Sequence, residues 1–351
     1  MEQQGAKTTV NIVLGGFGEI ATKAHLPAIQ RSDNNFRLVA IVDPNRDAAL
    51  ERLSHFSLSE EDIGVYQSLS SCLQDCNHYD IDAVAVCTPS TVTLDLALVA
   101  IRAGKHVLVE KPPGDWRRLR EIKQMAEGQQ LAFFTAYHTA ACVGYPLAKS
   151  WLNKNLDSLQ KVHVTWKESV KKWHPGQIWV TRKGTSAVQG CDGVLDIVFN
   201  PLSLLYALLG PLTYQESNLE VPKNWETPIA GSFNLIAANN DKGIPVTGDF
   251  AWNYEPASGA GPGEIWTIDF ESSNSSVMSL QDGGNQEYVD SERVTSEPTA
   301  PYPLKPEYEN IYRTFANLIE TSTSSVDDTT PKLLEEIQGN AEIRSGPPYE
   351  L

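Results

Sequence analysis

The stretch Leu14-Gly15-Gly16-Phe17-Gly18-Glu19-Ile20-Ala21 decides the fold of the first half of this 351-residue chain. It follows an apolar run, Thr9–Leu14, and leads into a helical pattern, Ile20–Gln30. Gly16, Gly18 and the closing alanine match G-x-G-x-x-G/A: the first glycine makes a tight turn, the second admits a pyrophosphate, and the small third residue lets helix pack on strand. Glycines close many strand-to-helix turns, so the pattern alone is weak. Its position between the first strand and the first helix predicts a dinucleotide-binding site.

Apolar strands alternate with helices from this stretch to about residue 136. Further strand patterns lie at Arg37–Val42, Ala83–Cys87 and His106–Val109, and helical patterns lie at Thr91–Ala103 and Arg117–Gly128. Strands that are apolar throughout are covered on both faces, as in parallel sheets built from strand–helix–strand units. We therefore predict an α/β fold with a doubly wound Rossmann domain over residues 1–136.

The second half of the chain has a different pattern. Apolar and polar residues alternate around Val162–Trp166 and in Ser232–Ala238, Val246–Trp252 and Ile265–Glu271. This alternation is typical of a largely antiparallel sheet with one packed face. Helical patterns lie at Leu147–Leu156, Val194–Leu209, Tyr308–Ile319 and Pro331–Ile343, the last with Thr330 as its expected cap. We predict a second α/β domain with a large, open, mostly antiparallel sheet over residues 137–351, whose C-terminal helices can pack back on the first domain.

Composition excludes several classes of protein. The chain has 28 Lys and Arg against 44 Asp and Glu, a formal net charge of −16, so we expect neither nucleic acid nor a membrane as a partner. It has no apolar leader, and its five cysteines are scattered without C-x-x-C spacing, which favours a cytoplasmic protein with reduced thiols. No ligand spacing such as H-E-x-x-H occurs, so no metal is predicted.

Asp43 bears on the choice of cofactor. It ends the second apolar strand, where a carboxylate accepts hydrogen bonds from the adenosine ribose hydroxyls and repels a 2′-phosphate. This favours NAD over NADP, although Arg46, three residues later, is a guanidinium that tolerates a phosphate. A plainer interpretation of Asp43 is a turn residue that caps the next helix.

Two further motifs carry a resemblance to a known family. Ala85–Ser90 is Ala-Val-Cys-Thr-Pro-Ser, and Ala103–Pro112 is Ala-Gly-Lys-His-Val-Leu-Val-Glu-Lys-Pro. Both are similar to the glucose–fructose oxidoreductase and inositol dehydrogenase family, and the resemblance covers nearly the whole chain. It implies a Rossmann domain that binds NAD or NADP, and a C-terminal domain whose open sheet forms a homo-oligomer interface.

Three segments resemble the aldose 1-dehydrogenase branch of that family: Trp166–Glu168, Trp173–Gln177 and Gly193–Asn200. The branch oxidises L-arabinose, D-galactose and D-fucose, so the resemblance implies a small aldose substrate. The chain departs from the branch at Ile197-Val198, where a Pro-Gly pair is expected, which bears on substrate preference. Asn200 stands where inositol dehydrogenases have a histidine base.

The resemblance also implies roles for individual residues. Lys111 and Asp196 are the implied catalytic pair. The residues implied to line the sugar pocket are His138, Glu168, His174 and Asn200. The residues implied to contact the cofactor are Gly16, Phe17, Gly18, Glu19, Ile20, Asp43, Thr88, Pro89, Glu110 and Lys111.

The chemistry requires a group that takes a proton. Oxidising an aldose at C1 to its lactone moves a hydride to nicotinamide C4, while a base takes the proton from O1. Lys111 follows the predicted strand His106–Val109, at the sheet edge where α/β folds bind ligands. Asp196 either takes the proton itself or holds Lys111 while the lysine relays it, and the sequence leaves both open.

Plainer interpretations compete with these assignments. Lys111 fits a surface lysine at a strand end, and Asp196 and Asn200 fit a helix N-cap with a polar neighbour. Isolated histidines are more often structural than functional. For the whole chain, the alternatives are a dehydrogenase of another polyol or an acidic sugar, and a dinucleotide-binding sensor without turnover.

Overall fold

The computed structural model describes residues 9–31, 35–56, 58–59, 63–75, 80–169, 193–239, 242–252, 265–281, 286–293, 305–327 and 329–346. These residues form two compact units. The first lies within Met1–Ala136 and Tyr302–Val326, and the second within Tyr137–Pro301 and Asp327–Leu351. The chain therefore leaves the first unit after residue 136 and returns to it near its C-terminus.

A parallel sheet forms the centre of the first unit. Its described strands are β1 Val10–Gly15, β2 Phe36–Val42, β3 Gly64–Tyr66, β4 Ala83–Val86, β5 His106–Glu110 and β6 Phe133–Ala136. Their order is β3-β2-β1-β4-β5-β6, and every neighbouring pair is parallel. The predicted doubly wound Rossmann sheet is thus confirmed. The strand order reverses between β1 and β4, and sheets of this kind bind ligands at the carboxyl ends beside that reversal.

Nine α-helices are present in the described residues. In chain order they are α1 Leu26–Ile29, α2 Arg46–Ser54, α3 Leu69–Gln74, α4 Ser90–Arg102, α5 Trp116–Gly128, α6 Tyr145–Asn155, α7 Leu195–Leu209, α8 Lys305–Thr321 and α9 Thr329–Asn340. The side chains of Asn45, Ser68 and Asp115 accept hydrogen bonds from first-turn amides and so fix where α2, α3 and α5 begin. The helix predicted at Ile20–Gln30 exists, but a π-helical turn, Ala21–His25, precedes α1.

Helix α8 supplies part of the core of the first unit. Tyr308, Ile311, Tyr312 and Phe315 are fully buried, and their spacing places them on one face of the helix. Phe36 of β2 stacks on Phe315 with ring centroids 5.9 Å apart. This apolar face explains why a helix so late in the chain belongs to the N-terminal unit.

A larger sheet forms the second unit. Its described strands are β7 Leu159–Glu168, β8 Leu212–Pro222, β9 Ala230–Asn239, β10 Lys242–Trp252, β11 Ile265–Ser272, β12 Val277–Gln281, β13 Gln286–Val289, β14 Glu292–Arg293 and β15 Glu342–Gly346. Their order is β14-β13-β12-β11-β7-β10-β9-β8-β15. The β7–β10 and β8–β15 pairs are parallel and the others are antiparallel, which confirms the predicted, mostly antiparallel sheet.

One face of this sheet is buried and the other is more polar. Along β7, Val162, Val164 and Trp166 are buried, while the residues between them are partly exposed. Helix α7 packs on the buried face, and most of its side chains are buried because its sequence is mainly apolar. The core of the second unit therefore lies between α7 and the sheet.

The prediction for the last helix was partly wrong. The helix predicted at Pro331–Ile343 ends at Asn340, and Glu342–Gly346 is the edge strand β15. The expected cap, Thr330, lies inside the helix instead. Asp327 caps α9, because its Oδ1 accepts hydrogen bonds from the amides of Thr329 and Thr330 at 2.9 Å each. No helix in the described part of the chain combines the length and the apolarity that crossing a membrane requires.

Candidate functional site

The glycine turn of the first unit has the geometry that a dinucleotide requires. Gly16 has a φ of +88°, and a Cβ atom placed there would lie 2.7 Å from the carbonyl oxygen of Cys87 and 2.9 Å from Cγ2 of Thr88. The β1 end is held against this neighbouring loop by a 2.7 Å hydrogen bond from the Cys87 amide to the Gly15 carbonyl. By contrast, a Cβ on Gly18 would meet no atom within 4 Å. Gly16 is therefore required by packing, whereas Gly18 leaves backbone open to a ligand.

Asp43 is bound to this turn. Its Oδ2 accepts a hydrogen bond from the Phe17 amide at 3.1 Å, and its Oδ1 accepts one from the Asn45 amide at 2.9 Å. Arg52 of α2 donates to the Phe17 carbonyl at 3.0 Å, so both polar groups of the Phe17 backbone are held. Asp43 thus makes the predicted local turn and also contacts the glycine turn, but the cap of α2 is Asn45, whose side chain accepts a hydrogen bond from the Ala48 amide. A carboxylate has about four acceptor positions, so further hydroxyl donors can be accepted.

A surface recess lies beside Asp43. Its lining residues are Pro44, Asn45, Arg46, Asp47 and Gln67. Arg46 thus lines a recess that adjoins the turn after β2. In Rossmann folds the end of the second strand lies beside the adenosine ribose and any 2′-phosphate on it.

The other residues implied to contact a cofactor lie at the same carboxyl edge. Thr88 and Pro89 join β4 to α4, and their carbonyls accept hydrogen bonds from the Thr93 hydroxyl at 3.1 Å each. Glu19 is exposed and forms a 3.0 Å ion pair with Lys23, and Ile20 is half-buried. Together with the glycine turn, these residues fit a dinucleotide that lies along the ends of β1 and β4.

Lys111 is half-buried and directly follows β5, as predicted, and Glu110 ends that strand. The Glu110 carboxylate is buried, with a side chain only 7% exposed. Its Oε1 lies 2.8 Å from Nε2 of His25 and accepts a 2.5 Å hydrogen bond from the Tyr308 hydroxyl. Its Oε2 accepts a hydrogen bond from the Lys111 amide at 3.1 Å.

Two tyrosines complete this buried group. The Tyr312 hydroxyl lies 2.9 Å from Nδ1 of His25. Burial, together with the nearby Glu110 carboxylate, raises the pKa of Tyr308 well above its usual value. Burial also raises the pKa of Tyr312, with further contributions from Cys87 and Glu110. Both hydroxyls are therefore protonated and available as donors.

Sequence reasoning did not identify His25, Tyr308 or Tyr312. A histidine on the buried side of the first helical segment was the available signal. The four-residue spacing of the two tyrosines in a C-terminal helical pattern was another. Neither signal names a partner, because Tyr308 lies 198 residues from Glu110 in the chain.

In the second unit, α7 carries two of the predicted site residues. Gly193, with a φ of +60°, precedes the helix and lies so close to Pro228 that a Cβ would be 2.4 Å from that carbonyl oxygen. Asp196 lies in the first turn of α7, where a carboxylate is favoured by the helix dipole, and the N-cap position belongs to Val194. Asn200 follows one turn later on the same side and is 9% exposed.

Two more predicted residues lie on elements that pack against α7. His138 immediately precedes a 3₁₀ turn, Thr139–Ala141, that contacts α7, and the neighbouring Tyr137 ring stacks on Phe199 at 6.2 Å. Glu168 ends β7 and is 7% exposed. Its Oε1 accepts a 2.9 Å hydrogen bond from Nε1 of Trp166. The second unit thus places Asp196 and Asn200 on α7, and His138 and Glu168 beside or on two elements that each contact α7. His174 lies outside the described residues.

No group of three or more His, Cys, Asp and Glu side chains suited to a metal ion occurs within the described ranges.

Comparisons with known proteins agree with this geometry. Residues 10–137 match the model of an oxidoreductase family with an NAD-binding Rossmann fold, GFO/IDH/MocA. Galactose 1-dehydrogenase of Pseudomonas fluorescens is 31% identical over 319 residues, which cover 91% of each chain.

Two solved structures extend the comparison. The crystal structure of a D-galactose-1-dehydrogenase from Rhizobium etli superposes with a TM-score of 0.81 at 27% identity, over 99% of this chain and 100% of that one. KijD10, a 3-ketoreductase from Actinomadura kijaniata crystallised with NADP and TDP-benzene, superposes at 0.72 over 97% of this chain and 100% of that one. At 18% identity it shows the shared fold alone.

Proposed function

Because the chain belongs to the GFO/IDH/MocA family of oxidoreductases with an NAD-binding Rossmann fold, we propose that it is a dehydrogenase that oxidises an aldose at C1 to the aldonolactone. The observation that carries this proposal is the 31% identity to galactose 1-dehydrogenase, which extends over 91% of both chains and therefore over both units. We further propose D-galactose, L-arabinose or D-fucose as substrate, since these three sugars share one configuration at C2, C3 and C4.

The proposed cofactor is NAD. Gly16, Phe17 and Gly18 would hold its pyrophosphate at the turn, and Asp43 would accept hydrogen bonds from the ribose hydroxyls. The cofactor, when bound, supplies the acceptor for the hydride that leaves C1. A 2′-phosphate would meet the Asp43 carboxylate, which disfavours NADP, whereas Arg46 at the recess reduces that penalty.

Lys111 and Asp196 are the residues proposed to handle the O1 proton. Loss of a hydride from C1 leaves a lactone carbonyl, so the O1–H bond must break and its proton must reach a base. In one form of the proposal the Asp196 carboxylate accepts this proton. In the other, the neutral amine of Lys111 accepts it and Asp196 keeps the amine in place.

Four side chains are proposed to bind the sugar hydroxyls: His138, Glu168, His174 and Asn200. The half-buried and buried positions of His138, Glu168 and Asn200 support this, because hydrogen bonds formed out of water discriminate strongly between sugars. Inclusion of His174 rests on the resemblance of its segment to the aldose 1-dehydrogenase branch.

A panel of aldoses with NAD and with NADP tests the proposal. We expect reduced nicotinamide to form with D-galactose, L-arabinose and D-fucose, and much more slowly with D-glucose, which differs from D-galactose at C4. Asp196→Asn is the matched variant for the proposed role of Asp196 in handling the O1 proton, since it keeps the shape of the side chain and removes its charge. No turnover of any sugar, together with measurable NAD binding, would refute the proposal and favour a dinucleotide-binding sensor. Turnover confined to polyols or acidic sugars would refute the aldose assignment.

The proposal includes a homo-oligomer that uses the polar face of the large sheet. That face carries His163 and Thr165 of β7 and Asp249 of β10, all partly or fully exposed in the isolated chain. His163 Nδ1 lies 2.8 Å from the Thr247 hydroxyl, which gives the face an ordered polar surface. Light scattering after gel filtration measures the mass of the assembly, and a monomer at assay concentration would contradict the proposed homo-oligomer.

A cytoplasmic location is also proposed. The free, buried thiols of Cys72 and Cys87 support it.

A further inference from the structure

One buried carboxylate connects three separate segments of the first unit. Glu110 contacts His25 of the π-helical turn, Tyr308 of α8 and the backbone amide of Lys111, at 2.8, 2.5 and 3.1 Å. Tyr312 contacts the far side of the His25 ring. We propose that His25, Glu110, Tyr308 and Tyr312, here called the Glu110 cluster, position Lys111 for its role in proton transfer. This inference rests on the proposed function.

The donors and acceptors of the cluster form one consistent chain. The Tyr308 hydroxyl donates to Oε1 of Glu110, since its pKa is raised by burial and by that carboxylate. Because the Glu110 carboxylate accepts, Nε2 of His25 is the donor to it, and Nδ1 of the neutral ring then accepts from the Tyr312 hydroxyl. Among the described contacts, the carboxylate therefore accepts hydrogen bonds from His25, Tyr308 and the Lys111 amide. Such bonds are what a buried charge requires, because an unsatisfied one is costly.

The hydrogen bond from the Lys111 amide to Glu110 is important for this segment because the two residues that follow Lys111 are prolines. Pro112 and Pro113 have no amide hydrogen, so Lys111 supplies the single backbone donor of the Lys111–Pro113 segment. Glu110 Oε2 accepts that one hydrogen bond. Without it, the Lys111 amide would lose the hydrogen bond that ties its backbone to Glu110.

The cluster also links Lys111 to the cofactor cradle. His25 lies in the helical segment that begins at the glycine turn, and its ring packs edge-on against Tyr308 with centroids 4.8 Å apart. The Glu110 cluster contacts both this helical segment, at His25, and the Lys111 backbone, and so fixes the position of Lys111 relative to the glycine turn. Because Glu110 is buried among these partners, it acts through Lys111, as a positioning residue.

Amide hydrogen exchange tests the positioning directly and without cofactor or substrate. We expect Tyr308→Phe to speed exchange of the Lys111 amide by about tenfold, since it removes one donor from a buried carboxylate. Exchange at Val107–Val109 of β5 should stay at its wild-type rate. Tyr145→Phe is the matched control, because it deletes a hydroxyl that donates to a carbonyl of the second unit, that of Ala207. Unchanged exchange at Lys111 in Tyr308→Phe would overturn the proposal.

Kinetics test whether the positioning matters for catalysis. We expect Tyr308→Phe to lower kcat by about tenfold, with KM for the sugar and Kd for NAD within twofold of wild type, as for a group that acts only on the chemical step. His25→Gln should retain more activity than His25→Leu, since an amide can still donate to Glu110 and an alkyl group cannot. Equal kcat losses in Tyr308→Phe and Tyr145→Phe, or equal activities of the two His25 variants, would overturn the catalytic part. If the wild-type protein turns over no aldose, the proposed function is refuted. Amide exchange at Lys111 would still test whether the Glu110 cluster positions that residue.

Discussion

Gly16 and Gly18 lie two residues apart in the glycine turn, and replacing each by alanine should have different effects. Gly16→Ala should lower the stability of the protein, whereas Gly18→Ala should weaken the binding of NAD. At Gly16 the added Cβ would lie 2.7 Å from the Cys87 carbonyl oxygen, and the residue has a φ of +88°. A left-handed conformation costs a non-glycine residue about 1–2 kcal/mol. Forcing a methyl group into a packed region adds about 1–3 kcal/mol. We therefore expect Gly16→Ala to lower the free energy of unfolding of the first unit by about 2–5 kcal/mol.

Gly18→Ala is the matched control for this prediction. Its Cβ would meet no protein atom within 4 Å, so the free energy of unfolding should change by less than about 1 kcal/mol. The methyl group would, however, occupy the surface that a pyrophosphate approaches. We expect the Kd for NAD to rise on the order of tenfold, which corresponds to about 1.4 kcal/mol.

Two measurements decide the outcome. Urea unfolding followed by circular dichroism gives the stability of each variant, and the transition that shifts on adding NAD to the wild-type protein identifies the first unit. Isothermal titration calorimetry gives the Kd for NAD. Wild-type stability in Gly16→Ala, or a wild-type Kd in Gly18→Ala, would refute the reasoning about this turn.

Three further predictions follow from the described contacts. Asp43→Ser should raise the ratio of kcat/KM with NADP to kcat/KM with NAD. It should also lower the free energy of unfolding by about 1 kcal/mol, because the hydrogen bond from the Phe17 amide is lost. An unchanged cofactor ratio would mean that Asp43 does not face the ribose. Lys111→Ala should abolish turnover and leave the Kd for NAD near the wild-type value, and residual wild-type turnover would remove the lysine from the mechanism. Burial, assisted by the nearby Asp75 carboxylate, raises the pKa of the Cys72 thiol to about 12. This thiol should therefore not react with iodoacetamide at pH 8 until urea unfolds the first unit. Rapid alkylation of Cys72 in the native protein would contradict this prediction.

The first unit was largely predictable from sequence because its signals are local. The apolar strands and the glycine turn each lie within a few residues, and they predict the parallel sheet and the position of its ligand edge. The short strand β3 has only three residues, too few for a periodic pattern. The helix predicted at Pro331–Ile343 included the first two residues of the edge strand Glu342–Gly346, although the Ile343 side chain is 57% exposed and lies six residues after the buried Ile337, off the apolar face of the helix.

The candidate site was predictable only in part, for a related reason. Lys111 and Asp196 stand in motifs that the sequence displays, and Asp43 follows a recognisable strand. The partners of Glu110 are 85 and 198 residues away in the chain, and only the fold brings them together. A single sequence carries no periodicity that pairs a histidine with a tyrosine so remote from it.

The return of the chain to its first unit has a consequence for biosynthesis. Helix α8 begins at Lys305, so a ribosome must polymerise about 170 residues beyond Ala136 before Tyr308 and Phe315 can complete that unit. At about 5–20 residues per second, the nascent Rossmann half would wait roughly 8–35 s with the α8-binding surface uncovered. A fragment that stops near residue 136 would keep that surface bare permanently and would be a poor candidate for separate expression.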